Sequence, residues 1–165
     1  MERDAHYVAA RALIGMEVEK LKLADAITHL LDECRMVLPG IQALFGFQMV
    51  AVFSSEFKKL TQNQQELHIL AIILVVIAVV LLMAPASLHR QAEPRLASER
   101  FLNVGTRLLL TAMVPLCVSI CIDVDLVTEI VCHDAAIAAI VSVALLGVFA
   151  SLWFVYPRIY RARQK

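Results

Sequence analysis

Apolar residues in this chain gather in long unbroken runs rather than short alternating patches, and each run has about the length a helix needs to cross a bilayer. The first runs from Met36 to Phe53 without a charge. The second, 67–88, contains ILAIILVVIAVVLLMA, with only His68 at its edge. The third, 104–122, carries Arg107 one turn in and Pro115 in its interior, where a helix loses a backbone hydrogen bond, so a kinked span is expected. The fourth, 135–156, stops at Pro157 and a basic tail of Arg158, Arg161, Arg163 and Lys165. β-Branched residues are frequent in the second run, yet it is too long for a strand and shows no period-two alternation, which also argues against a membrane barrel. The pattern predicts an all-α fold, a four-helix transmembrane bundle over 36–157, with spans 36–53, 67–88, 104–122 and 135–156 and a tail over 158–165.

Ahead of the first span lies segment 1–35, where Leu23, Ile27, Leu30, Leu31 and Cys34 recur at three- and four-residue spacing. This predicts an amphipathic N-terminal helix that either lies in the membrane interface or extends the first span into the cytosol, packed on the bundle. No cleaved signal peptide is expected, because Glu17, Glu19, Asp25, Asp32 and Glu33 precede the first strong apolar run.

Composition agrees with the pattern. Of 165 residues, 60% are hydrophobic and 18% charged, with mean hydropathy +0.74, against about 45–50% and about 25% in soluble domains. A domain this small has too little interior to hide that excess, so lipid takes the place of water around much of it. The 15 basic and 15 acidic residues cancel, leaving no overall field to recruit nucleic acid. Their distribution is uneven. The N-terminal segment, the loop with Arg90, Arg95 and Arg100, and the tail hold nearly all the Lys and Arg, whereas the opposite side has only Lys58 and Lys59. The positive-inside rule then puts both termini in the cytoplasm, as an even number of spans requires.

Polar groups at membrane depth ask for a partner or a function. Gln42 and Gln48 lie in the first span, about 120° apart on the helix, so one stripe cannot present both to a pore. Arg107 is expected at the depth of Asp32 and Glu33, and an inner Arg107–Glu33 latch is one use for it. Between the third and fourth spans the stretch DVDLVTEIVCHD reads as an outer hairpin whose Asp123, Asp125, Glu129, His133 and Asp134 form an acidic mouth. Such a mouth raises the local cation concentration and offers oxygen ligands and proton-exchanging groups, although it lacks the spacing of an EF-hand loop and defines no metal set. On this reading no Asp or Glu lies in mid-membrane.

Two bis-histidine haem sites can be drawn, through His68 and His133 or through His29 and His89, but all four histidines fall at span ends rather than in the bundle interior, and no cofactor is expected. Cys121 and Cys132 bracket the hairpin, within reach of each other in an oxidising compartment, with Cys117 one turn below Cys121. The fourth span repeats small residues every four positions, at Ala135/Ala139, Ala138/Ser142 and Gly147/Ser151, a pattern for close helix packing. No nucleophile–base motif, phosphate loop or zinc-protease signature occurs, so no enzyme is expected.

The stretch LLDECRMVLPGIQALFGFQMVAVF, followed by LLMAPASLHR and RFLNVGTRLLL, resembles a family of short bacterial four-span membrane proteins grouped as a domain of unknown function. The resemblance covers roughly Leu30 to Val127 and rests on Glu33, Arg35, Gly40, Gln42, Phe45, Phe47, Ala84, Pro85, His89 and Arg90. It implies a bacterial inner-membrane protein, and some relatives carry a sodium/proton antiporter label. The expected function is therefore an oligomeric small-cation or proton-coupled channel or transporter. The alternatives are an accessory subunit of a larger membrane complex and, further off, a membrane haem protein.

Overall fold

The computed structural model describes residues 2–92 and 98–163, with side chains placed for 14–91 and 98–163. Arg95 and Lys165, which contribute to the charge asymmetry, lie outside the described residues. Helix α1 spans Glu2–Val52, α2 Gln62–Ala92, α3 Glu99–Cys132 and α4 Ala135–Ala150. A π-helical turn, Ser151–Val155, joins α4 to α5, Tyr156–Arg163. No strand is present among the described residues. Four segments, Ile14–Val52, Gln62–Gln91, Glu99–Cys132 and Ala135–Arg163, are long and apolar enough to cross a membrane.

The amphipathic segment and the first span are one continuous helix of 51 residues, with Pro39 inside it. At about 1.5 Å per residue that is roughly 77 Å, far longer than a bilayer core of about 30 Å, so α1 continues well beyond the apolar zone. Its stripe packs as its spacing requires. Ile27 and Leu30 are buried with Phe101 of α3, flanked by Leu23, Leu31, Leu102 and Leu109. Cys34 and Ile41 join Val75 and Leu82 of α2 and Ala112 of α3 in a second cluster.

Gly105 fixes how closely these helices meet. A Cβ at this position would stand 2.5 Å from Leu30 Cδ2 and 3.7 Å from Pro85 Cβ. The missing side chain thus lets α3 lie against α1 and α2 together.

The third helix corrects the expected boundary. It does not stop at Ile122 but runs on to Cys132, so the connector to α4 shrinks to His133 and Asp134. His133 closes α3 in the left-handed region at φ 54°, donating its N–H to Glu129 O at 2.9 Å. Asp134 caps α4, accepting from Ala136 N at 2.8 Å and Ile137 N at 3.4 Å. The helix persists because Leu126, Val127 and Ile130 sustain the helical spacing past the first carboxylate.

The fourth helix also outlasts its expected end. Pro157 has no N–H and would crowd the carbonyl four residues back. The preceding turn is widened, with Tyr156 N–H reaching Ser151 O five residues back, and the helix then continues to Arg163.

Helices α2 and α3 share the largest contact, α4 packs chiefly on α3, and α1 lies across α2 and α3. Among the four apolar segments the one containing α4 is the least buried.

Candidate functional site

The turns α1–α2 and α3–α4 lie at one end of the bundle, and there α1, α2 and α3 bring their polar residues together. Gln48 comes from near the end of α1, His68 from the second turn of α2, and Ser119 and Asp123 from successive turns of α3. Gln48 is 3% exposed, His68 7% and Ser119 0%. Gln48 Nε2 donates to Ser119 Oγ at 3.0 Å and to Asp123 Oδ2 at 2.6 Å. Ser119 Oγ passes its own hydrogen to Ala71 O at 2.9 Å. These bonds fix the amide orientation, because only the NH2 side of Gln48 can face both a hydroxyl committed elsewhere and a carboxylate.

His68 Nε2 lies 3.0 Å from the backbone carbonyl of Gln48. A carbonyl only accepts, so Nε2 carries a hydrogen, and Nδ1 is left facing Asp123 Oδ1 at 3.6 Å. A bare Nδ1 lone pair opposite a bare carboxylate is repulsive. One proton held by the pair, on imidazole or on carboxyl, turns that repulsion into attraction.

The cluster borders a cavity of about 320 Å³ that also opens onto Leu126, Val127 and Ile130 of α3, Phe47 of α1 and Phe57 of the α1–α2 connection. Phe57 meets the His68 ring edge-on, with centroids 5.4 Å apart. Gln48 lines this cavity and its Oε1 is buried without a hydrogen-bond partner.

The residues singled out in the sequence fall differently. Gln42 is exposed on the outside of α1, and only Gln48 faces the interior, as their angular separation demands. Arg107 and Glu33 are both exposed, and no ion pair within 4 Å joins them among the described residues. The acidic mouth is dispersed because most of it is helix. Asp123 faces the cavity, Asp125 accepts from Ser142 Oγ of α4 at 3.1 Å, Glu129 lies on the last turns of α3, and Asp134 is a helix cap. Ser142 stands seven residues, roughly 10 Å, inside the apolar run of α4, so Asp125 is bonded to a side chain within that run.

Cys121 and Cys132 both ride on α3, eleven positions or roughly 16 Å apart, too far for a disulfide. All four cysteines are free thiols. His68 is engaged by Gln48 and Asp123, while His133 is exposed in the turn ten positions beyond Asp123. His29 is exposed and His89 lies beside Phe101, ring centroids 5.4 Å apart. Among the described residues no group of three or more His, Cys, Asp or Glu stands close enough to hold a metal ion.

Sequence reading missed the partnership of Ser119, His68 and Asp123. Positions 119, 123, 126 and 130 share one helical face, a repeat visible once the helix is carried past Ile122.

A family model described as a family of unknown function (DUF6328) matches residues 16–157. The chain belongs to this family. The match takes in all four polar residues of the cluster and every residue named around the cavity. No curated protein and no solved structure matches the chain.

Proposed function

We propose that this member of the family is a proton-coupled carrier of small cations, with His68 and Asp123 as the shared site for proton and cation. The observation that carries the reading is the imidazole–carboxylate pair, set among apolar helices with a cavity beside it. Ionisable groups in such surroundings are costly, and where they occur they commonly serve proton or ion movement. A cation entering the cavity satisfies Asp123 and frees the proton that the pair otherwise holds. Gln48 holds the carboxylate from α1, and Ser119, which accepts from the same amide and donates to Ala71 O of α2, links that amide to the other two helices, so the exchange is tied to their packing.

The positive-inside asymmetry and the family resemblance support a bacterial inner membrane with both termini cytoplasmic. The test is proton movement in proteoliposomes, followed with an internal pH dye after an inward cation gradient is imposed. The wild type exports protons as cation enters, and Asp123→Asn abolishes the coupled movement. Unchanged proton flux in that variant overturns the assignment.

A second reading, an oligomer or a subunit of a larger complex, draws on α4. Ala138 and Ser142 of the small-residue pattern face α3, whereas Ala135, Ala139 and Gly147 remain exposed on the least buried segment. Small exposed residues let a further helix approach closely. Native mass after mild extraction separates a lone chain, a homo-oligomer and a mixed complex.

A further inference from the structure

We infer that the cavity beside Gln48, His68 and Asp123 takes an amphiphilic primary ammonium ion, its headgroup on the Asp123 carboxylate and its hydrocarbon chain against Leu126, Val127 and Ile130. This rests on the carrier reading and names the class of cation.

The hydrogen-bond inventory of the cluster sets the chemistry of the ligand. Every donor within it is already engaged: Ser119 O–H with Ala71 O, the Gln48 NH2 with Ser119 and Asp123, and His68 Nε2–H with the Gln48 carbonyl. The unfilled capacity is all on acceptors. Gln48 Oε1 is buried without a partner, and Asp123 Oδ1 has only the His68 nitrogen at 3.6 Å. A ligand that completes this site must therefore bring hydrogens and positive charge. A primary ammonium brings three N–H donors, whereas a carboxylate or phosphate brings only more acceptors.

A multivalent metal ion fits poorly. A hard cation such as calcium takes six to eight oxygens, and among the described residues no group of three or more His, Cys, Asp or Glu could hold a metal ion. The remaining wall is hydrocarbon, with Phe47 and Phe57 on the same cavity. A volume of about 320 Å³ lies at the lower end of the range for small-molecule sites, roughly 300–1,000 Å³. An alkyl chain then gains from burial.

Charge balances in the exchange. With one proton the His68–Asp123 pair is neutral overall, and one ammonium entering as one proton leaves for solvent keeps it neutral. The charged groups facing the site are His68 from α2, Asp123 from α3 and, on the connection after α1, Glu56, which Lys59 holds at 2.7 Å. Helix α1 contributes only the neutral Gln48.

The test is equilibrium binding of radiolabelled octylammonium to the full chain in nanodiscs of zwitterionic lipid. Saturable binding at one site per chain is expected, roughly tenfold or more weaker in Asp123→Asn. Octyltrimethylammonium has the same tail and charge but no N–H, and is expected to compete at least about tenfold less well. Leu126→Trp fills the cavity without touching the polar cluster. It should weaken octylammonium binding. Equal binding by wild type and Asp123→Asn, or equal competition by the trimethyl analogue, overturns the ammonium site. If octylammonium fails to bind while Asp123-dependent proton movement persists, the ammonium inference falls and the carrier reading stands. Loss of both removes the carrier reading too.

Discussion

The two ends of the bundle join the same three helices by opposite means. Where α2 gives way to α3, Gly105 lets Leu30 of α1 press onto α3 beside Pro85, and Ile27 and Phe101 close an apolar seam. At the end with the α1–α2 and α3–α4 turns, contact is made by hydrogen bonds from Gln48 to Ser119 and Asp123, with a cavity alongside. The first end is held by shape and the second by chemistry. At the apolar end the one unpartnered buried polar atom among the described residues is His89 Nδ1, beside Phe101, whereas the polar end keeps an unpartnered amide oxygen next to a carboxylate and an imidazole. There a carboxylate, an imidazole and an unpartnered amide oxygen stand together beside a cavity, which gives a ligand something to complete.

The contrast can be broken most severely at the apolar end. Leu30→Ala removes a buried side chain that fills the space at Gly105, and a loss of about 2–5 kcal/mol is expected from the cavity, read by thermal unfolding in detergent. Gly105→Leu drives a larger side chain into the same contact, and about 1–3 kcal/mol is expected. Gly105→Ala costs less, since the Leu30 tip can rotate aside. If Gly105→Leu unfolds at the wild-type temperature, α3 does not lie against α1 as described.

The polar end should yield smaller changes in stability and larger ones in function. Asp123→Ala strands the second donor of the Gln48 amide, with an expected loss of about 1–3 kcal/mol. Ser119→Ala removes one interhelical bond, for which about 0.6 kcal/mol is typical within membranes. Least of all, Gln42→Leu should lie within about 0.5 kcal/mol of wild type, because Gln42 is exposed. Equal effects at Gln42 and Gln48 would erase the distinction between the two faces of α1.

How much of this was legible in the sequence differs between the two ends. The apolar end was nearly all visible: Leu23, Ile27, Leu30, Leu31 and Cys34 keep a helical repeat, and they pack where that repeat points. The polar end was half visible. Gln48 stands out as an amide in an apolar run, but Asp123 reads as loop because hydropathy ends a span at the first carboxylate. Charge within a helix is tolerated when a neighbour satisfies it, and the satisfying groups here lie 75 positions away at Gln48 and 17 away at Ser142. Pairings of that range do not register in hydropathy. The π-turn before Pro157 was likewise hidden, because proline reads as a stop unless the preceding turn widens.

The central claim is that one proton on the His68–Asp123 pair exchanges for one cation in the cavity, and its most direct test is proton release on cation addition. With purified protein in weakly buffered detergent solution, a pH indicator reports protons set free as saturating octylammonium is added. The account predicts about one proton per chain from the wild type and from Gln42→Leu, and none from Asp123→Asn. Undiminished release from Asp123→Asn would contradict it.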